Sequence, residues 1–127
     1  MHIIHNIDVA SQIGKYSDAR EVSGPARWLF TSGTPGLDQN GHLPADISSQ
    51  ADLAWRNIVK LLESAHMTMA DVVKVTHYLI RESDMAEYVK VRAKYLGDAR
   101  PASMMLITPA LVKPGFLLEI EIIAAQY

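Results

Sequence analysis

The segment at residues 117–124 constrains the fold of this chain more than any other. In a strand, successive side chains point to opposite faces of the sheet. The residues on one face are then all apolar: Ile120, Ile122 and Ala124. The residues on the other face mix acids with an isoleucine: Glu119, Glu121 and Ile123. A strand that is partly apolar on both faces is better explained by an oligomer than by a monomer with one side of its sheet in water.

Four more segments have the β-branched and aromatic residues, or the alternation, that are typical of strands. They are residues 19–22, 28–32, 72–80 and 103–108. Glycine, proline, aspartate and asparagine fill residues 34–44, which predicts a loop. Together with two helices, these segments predict the order β-β-α-β-α-β-β. This is an α/β (α+β) fold in which both helices cover one face of a single sheet.

The two helices are predicted from apolar residues at helical spacing. Asp46 is the predicted N-cap of the first helix, and Trp55 lies at the margin of its apolar stripe. That stripe comprises Ala54, Ile58, Leu61, Leu62 and Ala65. The second helix runs over residues 84–96, and Asp84 and Glu87 fit the spacing of a capping box at its start. Its predicted apolar stripe comprises Met85, Val89, Ala93 and Leu96.

Composition excludes several kinds of site. The 127 residues predict one domain over residues 1–127. The chain has no cysteine, which excludes disulfides, thiolate nucleophiles and cysteine zinc sites. The histidines form no pair at metal-ligand spacing, so no metal site is expected. A net charge of −2 without a basic cluster argues against nucleic acid as a partner. No apolar run reaches the ~20 residues of a membrane span, and a cytoplasmic location is expected.

Five short pieces of the sequence, in this order, resemble the RidA/YjgF family of reactive-intermediate deaminases. They read IGKYSDA at 13–19, LFTSG at 29–33, DVVKVT at 71–76, RPAS at 100–103 and EIE at 119–121. The resemblance spans nearly the whole chain and implies a chorismate-mutase-like fold assembled as a homotrimer. It also implies clefts between subunits that bind a small-molecule ligand, with no metal or organic cofactor. Some members hydrolyse reactive imines or enamines, such as 2-aminoacrylate, to a keto acid and ammonia.

The resemblance assigns roles to four matching positions and fails at a fifth. Tyr16 matches the tyrosine whose ring lies over the ligand. Ser32 and Gly33 match the strand end whose backbone lines the cleft. Glu119 matches the glutamate near the attacking water, which makes it the predicted catalytic residue. Ser103 stands where deaminating members have an arginine that binds the substrate carboxylate.

The serine at position 103 weakens the predicted anion site. An arginine binds a carboxylate through two charge-assisted hydrogen bonds, and truncating one partner of such a buried pair costs about 2–5 kcal/mol. A serine hydroxyl returns only about 0.5–1.5 kcal/mol. Arg100 is close enough in sequence to reach back, but strand alternation places it off the face of Ser103. Otherwise it is a surface arginine at a strand entrance. The substrate is therefore expected to be less anionic than a small 2-imino acid.

Two functions are open on the sequence alone. The first is a hydrolytic deaminase of reactive imines or enamines with altered substrate preference, in which Glu119 acts as a general base. The second is a non-catalytic trimer that binds a small metabolite. In that case Glu119 only pairs with a basic residue across a subunit interface, and Tyr16 only packs. His77 lies among apolar neighbours and is interpreted as a core residue rather than a ligand.

Overall fold

The computed structural model describes residues 2–127, which form seven strands and two α-helices. The strands are β1 (His2–His5), β2 (Ala19–Val22), β3 (Arg27–Phe30), β4 (Thr34–Pro35), β5 (Val72–Leu79), β6 (Ala102–Ile107) and β7 (Leu118–Gln126). The helices are α1 (Ile47–Ser64), between β4 and β5, and α2 (Met85–Leu96), between β5 and β6. The predicted α+β class is confirmed. The short strands β1 and β4 were not predicted, and β4 lies within the predicted loop.

One mixed sheet carries most of the strands, in the order β3-β7-β5-β6, with β4 also paired to β7. The β5–β6 pair is parallel and places Val75 opposite Ser103. The β5–β7 pair is antiparallel and places Tyr78 opposite Glu119. β6 is therefore an edge strand, and β7 lies near the middle of the sheet. Strands β1 and β2 form a separate antiparallel pair.

Helix α1 begins where the sequence predicts, since the Asp46 side chain accepts a hydrogen bond from the backbone N–H of Ser49 (3.0 Å). The predicted apolar stripe needs two corrections. Trp55 is fully buried rather than marginal, and its ring lies against those of His77 and Tyr95. Leu61 is 38% exposed instead of buried. The indole offers more apolar surface to the core than a leucine does, so the helix faces the sheet through Trp55.

Helix α2 faces the core through a different set of residues than predicted. Tyr88 and Val91 are buried, whereas Met85, the first member of the predicted stripe, is 37% exposed. The reason lies in the aromatic partners on this side of the helix. Tyr88 reaches the buried His77, and Tyr95 stacks on Trp55. Of the predicted stripe, Met85 and Ala93 are exposed and Val89 is half-buried, whereas Leu96 still packs against the core.

The predicted capping box at the start of α2 is also wrong. The Asp84 side chain makes no capping hydrogen bond. Its two oxygens instead accept from the Arg81 guanidinium at 2.8 and 3.1 Å. A bidentate arginine–carboxylate pair is stronger than a single neutral capping bond, which explains the preference.

Both helices cover one face of the sheet, and the other face is open. Alternation along β7 confirms the two predicted faces, since Ile120 and Ile122 are buried and Glu119 and Glu121 are half-buried. The open face also carries large exposed side chains on the neighbouring strands: Trp28, Phe30, Met104 and Leu106. Phe30 lies directly opposite Ile123 in the register of β3 and β7. No helix within residues 2–127 is long and apolar enough to cross a membrane.

Candidate functional site

The loop that carries Tyr16 is fixed against the start of β6. The backbone N–H of Ser17 donates to the carbonyl of Pro101 (3.2 Å), and its hydroxyl donates to the carbonyl of Arg100 (2.5 Å). The loop is held from its other side by Asp18, which accepts from the backbone N–H groups of Ile7 (2.9 Å) and Ala10 (2.8 Å). These hydrogen bonds, that of Ile7 first, lower the pKa of Asp18. The sequence therefore places Tyr16 beside the strand that contains Ser103.

Tyr16 and Ser103 line a common cavity of about 440 Å³ between this loop, α2 and β6. Most of its wall is apolar: Ile13, Met85, Val89, Met104, Met105 and Ile107. Four of these residues, Ile13, Met85, Met104 and Ile107, are exposed, so the cavity opens at the edge of the sheet. The structure thus brings together two of the predicted ligand-binding residues, in surroundings that suit an apolar group.

The Ser103 hydroxyl is held by a buried network. It lies 3.1 Å from Nε2 of His77, and Nδ1 of the same ring is hydrogen-bonded to the Tyr88 hydroxyl. His77 is 1% exposed, as expected for a core residue. Burial, with a smaller contribution from the charge of Arg92, lowers its pKa to about 3. His77 is therefore neutral at neutral pH and orients Ser103 without adding a charge to the cavity.

Arg100 does not reach back towards Ser103. Its Nη1 donates to the carbonyls of Gly97 and Ala99, both at 2.9 Å, just beyond the end of α2. The guanidinium thus satisfies backbone groups at a helix C-terminus, where a positive charge is favourable. The alternative interpretation, an arginine at the strand entrance, describes its position.

Arg92 is the residue that the sequence argument missed. It lies in the middle of α2, is half-buried and lines the same cavity as Tyr16 and Ser103. A signal was present in the sequence. Arg92 is three residues after Val89 and seven after Met85, so it shares their side of the helix. A basic residue on the same side as the predicted apolar stripe indicates that this side of α2 does not face the core.

The remaining predicted residues form a second group, around Glu119. The Glu119 carboxyl lies so close to Gly33 that a Cβ at position 33 would collide with it. Burial, and then the charge of Glu121, raise the pKa of Glu119. Glu121 itself accepts a hydrogen bond from the Tyr78 hydroxyl (3.0 Å). Ser32 is exposed next to Gly33, and its carbonyl accepts from the Thr34 hydroxyl (3.0 Å).

The two groups lie on different faces of the sheet in one chain. Ser103 contacts His77, whose side chain points to the face covered by the helices. Glu119 is opposite Tyr78, the next residue of β5, whose side chain points to the open face. The cavity lined by Tyr16 and Ser103 does not include Ser32, Gly33 or Glu119. Within residues 2–127, no group of three or more histidine, aspartate or glutamate side chains is placed to hold a metal ion.

Comparison with known proteins agrees with this fold. The chain is 31% identical to the mouse 2-iminobutanoate/2-iminopropanoate deaminase over 126 residues, which is 98% of this chain and 90% of the mouse protein. Among solved structures it is similar to the Rid family protein YyfB from Yersinia pestis. The TM-score is 0.85, the identity is 28% and the match covers 98% of each chain. It is also similar to Escherichia coli TdcF with bound serine, with a TM-score of 0.75, 27% identity and 91% of each chain covered.

The match to a family model decides the assignment. Residues 7–126, which contain both groups of side chains, match the model described as Endoribonuclease L-PSP. The five sequence pieces, the mixed sheet with two helices on one face and these relatives all agree, and the chain belongs to the RidA/YjgF family, which this model describes.

Proposed function

We propose that this protein is a hydrolytic deaminase that converts reactive imines or enamines into carbonyl compounds and ammonia. The observation that carries the proposal is the Glu119 carboxyl, which lies against Gly33 and has a raised pKa. A general base works best when its pKa approaches the working pH. Support also comes from the name of the mouse relative, which describes it as a deaminase of two 2-imino acids.

The proposed reaction adds water across the C=N bond and then expels nitrogen. Glu119 removes a proton from water as its oxygen bonds to the imine carbon, while the nitrogen gains a proton. In the resulting carbinolamine the hydroxyl gives up its proton to Glu119, which passes a proton to the nitrogen, and the C–N bond breaks as the C=O bond forms, so that ammonia leaves. An enamine first gains a proton on carbon and loses one from nitrogen to become the imine. The sum is imine plus water giving carbonyl plus ammonia, with no oxidant or cofactor.

We further propose that the active unit is a homotrimer in the cytoplasm, with the ligand bound in clefts between subunits. Tyr16 and Ser103 of one copy would face Ser32, Gly33 and Glu119 of the next. Two features support this arrangement. The two groups lie on different faces of the sheet in one chain, and the open face carries large exposed apolar side chains, such as that of Phe30, which is 68% exposed. Apolar patches of this kind usually mark an interface.

The test is ammonia release from freshly generated 2-aminoacrylate and from larger aliphatic and aromatic imines. We expect acceleration over buffer for at least one of them. Replacing Glu119 by glutamine removes the base but keeps the shape, and should lower kcat by about 100-fold or more. Glu63→Gln, an exposed position on α1, is the matched control and should leave the rate unchanged. Ligand binding without ammonia release from any imine would favour the non-catalytic metabolite-binding trimer instead.

A further inference from the structure

The cavity that contains Ser103 continues along α2 into a second one of about 400 Å³. The two share four lining residues: Ile13, Gly14, Val89 and Arg92. Four basic residues line them: Lys15, Lys90, Arg92 and Arg100. No aspartate or glutamate lines either cavity. The protein as a whole carries more acids than bases, so a surface lined only by bases stands out from the rest. Such a surface attracts anions.

Only one of these bases is both inside the first cavity and unpaired. Lys90 lies 3.1 Å from the Glu87 carboxylate, and Arg100 is bound to backbone carbonyls. Lys15 is exposed on the loop and lines only the second cavity. Among the described residues, Arg92 makes no ion pair and no hydrogen bond. A half-buried guanidinium without a partner is poorly solvated, and an anion from solution would restore its hydrogen bonds.

The charge of Arg92 acts on the buried side chains behind Ser103. It contributes to the pKa of His77, which contacts the Ser103 hydroxyl, and to that of Tyr88, which contacts His77. The Arg92 guanidinium and the Ser103 hydroxyl therefore both line the same part of the cavity. A carboxylate placed there would accept two parallel bonds from the arginine fork, and a third from Ser103.

We propose that Arg92 binds the substrate carboxylate, in place of the arginine that the family resemblance puts at position 103. Met85, Val89 and Met104 form the adjoining apolar wall. We assign to this wall the preference for 2-imino acids with a large apolar side chain. This assignment rests on the proposed function and is an alternative to the sequence-based expectation of a less anionic substrate. In this assignment the carboxylate-binding arginine lies on helix α2 instead of strand β6. Position 103 can then carry a short side chain, as Ser103 does.

Binding of unreactive product analogues tests the assignment directly. The probes are 4-methyl-2-oxopentanoate, its neutral amide and pyruvate, titrated calorimetrically into the wild-type trimer. We expect 4-methyl-2-oxopentanoate to bind more tightly than either of the others. Arg92→Gln should weaken it by about 10-fold or more and leave the amide unchanged, and Arg92→Lys should lie between them. Lys94→Gln, an exposed position on the same helix outside both cavities, is the matched control and should bind like the wild type.

The outcomes separate this assignment from the proposed function. Arg92-dependent binding of the oxo acid without ammonia release from any imine would sustain the assignment and overturn the deaminase. Ammonia release with an unchanged KM in Arg92→Gln would do the reverse. Equal affinity for acid and amide, or no binding of the acid by the wild type, would also overturn the assignment. Circular dichroism and trimer mass confirm folding, and if the glutamine variant fails to fold, the lysine variant decides.

Discussion

The buried His77 should make the stability of this protein fall steeply in mild acid. The pKa of its ring is lowered from 6.5 to about 3 by burial and by the charge of Arg92. Because the folded state binds this proton more weakly than the unfolded state, the stability is fully present above the unfolded value of 6.5 and is lost as the pH falls towards 3. At about 1.36 kcal/mol per pKa unit, the whole interval amounts to about 5 kcal/mol per chain. By about pH 5 the loss is about 2 kcal/mol.

The assay is chemical unfolding at a series of pH values and one fixed protein concentration, since assembly makes stability depend on concentration. His77→Gln removes the titrating ring, and the comparison uses the slope against pH rather than the absolute stability. His66→Asn is the control, because His66 is exposed and has a φ of 56°, which asparagine tolerates. The wild type and the control should lose about 2 kcal/mol more than His77→Gln between about pH 7 and pH 5. Equal slopes in all three would refute the reasoning.

Three further substitutions test the group of side chains around Glu119 and the open face of the sheet. Glu121→Gln removes the second cause of the raised pKa of Glu119, so the acid limb of the activity profile should move to lower pH; an unmoved limb would show that Glu119 is not the titrating base. Gly33→Ala should reduce kcat while the protein stays folded, since the new Cβ collides with the Glu119 carboxyl; an unchanged kcat would separate that contact from catalysis. Phe30→Ser should shift the light-scattering mass towards that of one chain, 14.1 kDa, whereas Leu61→Ser on α1 should not. A wild-type mass of 14.1 kDa would contradict the trimer.

Much of the fold follows from local patterns in the sequence. The alternation at the end of the chain, the N-cap at Asp46 and the two-faced character of β7 are all present in the structure. Such features depend on period and turn chemistry, which neighbouring residues determine. The side of α2 that faces the core was not predictable in this way. It depends on Tyr88 meeting His77 and Tyr95 meeting Trp55, and both are contacts between distant segments.

The candidate site, too, was predictable from the sequence only in part. The family resemblance predicts Tyr16, Ser32, Gly33, Ser103 and Glu119 as site residues, and the structure shows which of them lie together. It also adds two residues that local patterns hid. His77 is a core residue, as predicted, and its ring also contacts the Ser103 hydroxyl. Arg92 belongs to no motif in the sequence, and only the structure shows that it lines the cavity with Ser103 and that no acid lines this cavity.

The central claim is that each active site combines side chains of two subunits, and mixing subunits tests it most directly. Glu119→Gln removes the proposed base of the Glu119 group. Val89→Trp places a large side chain from helix α2 in the cavity lined by Tyr16 and Ser103. The two variants are unfolded together, refolded as a mixture and assayed for ammonia release from a 2-imino acid. Random assembly gives about one quarter of the clefts an intact pair, because each interface combines two independently chosen copies. The account predicts about one quarter of the wild-type activity from two nearly inactive parents. A mixture as inactive as its parents would contradict it.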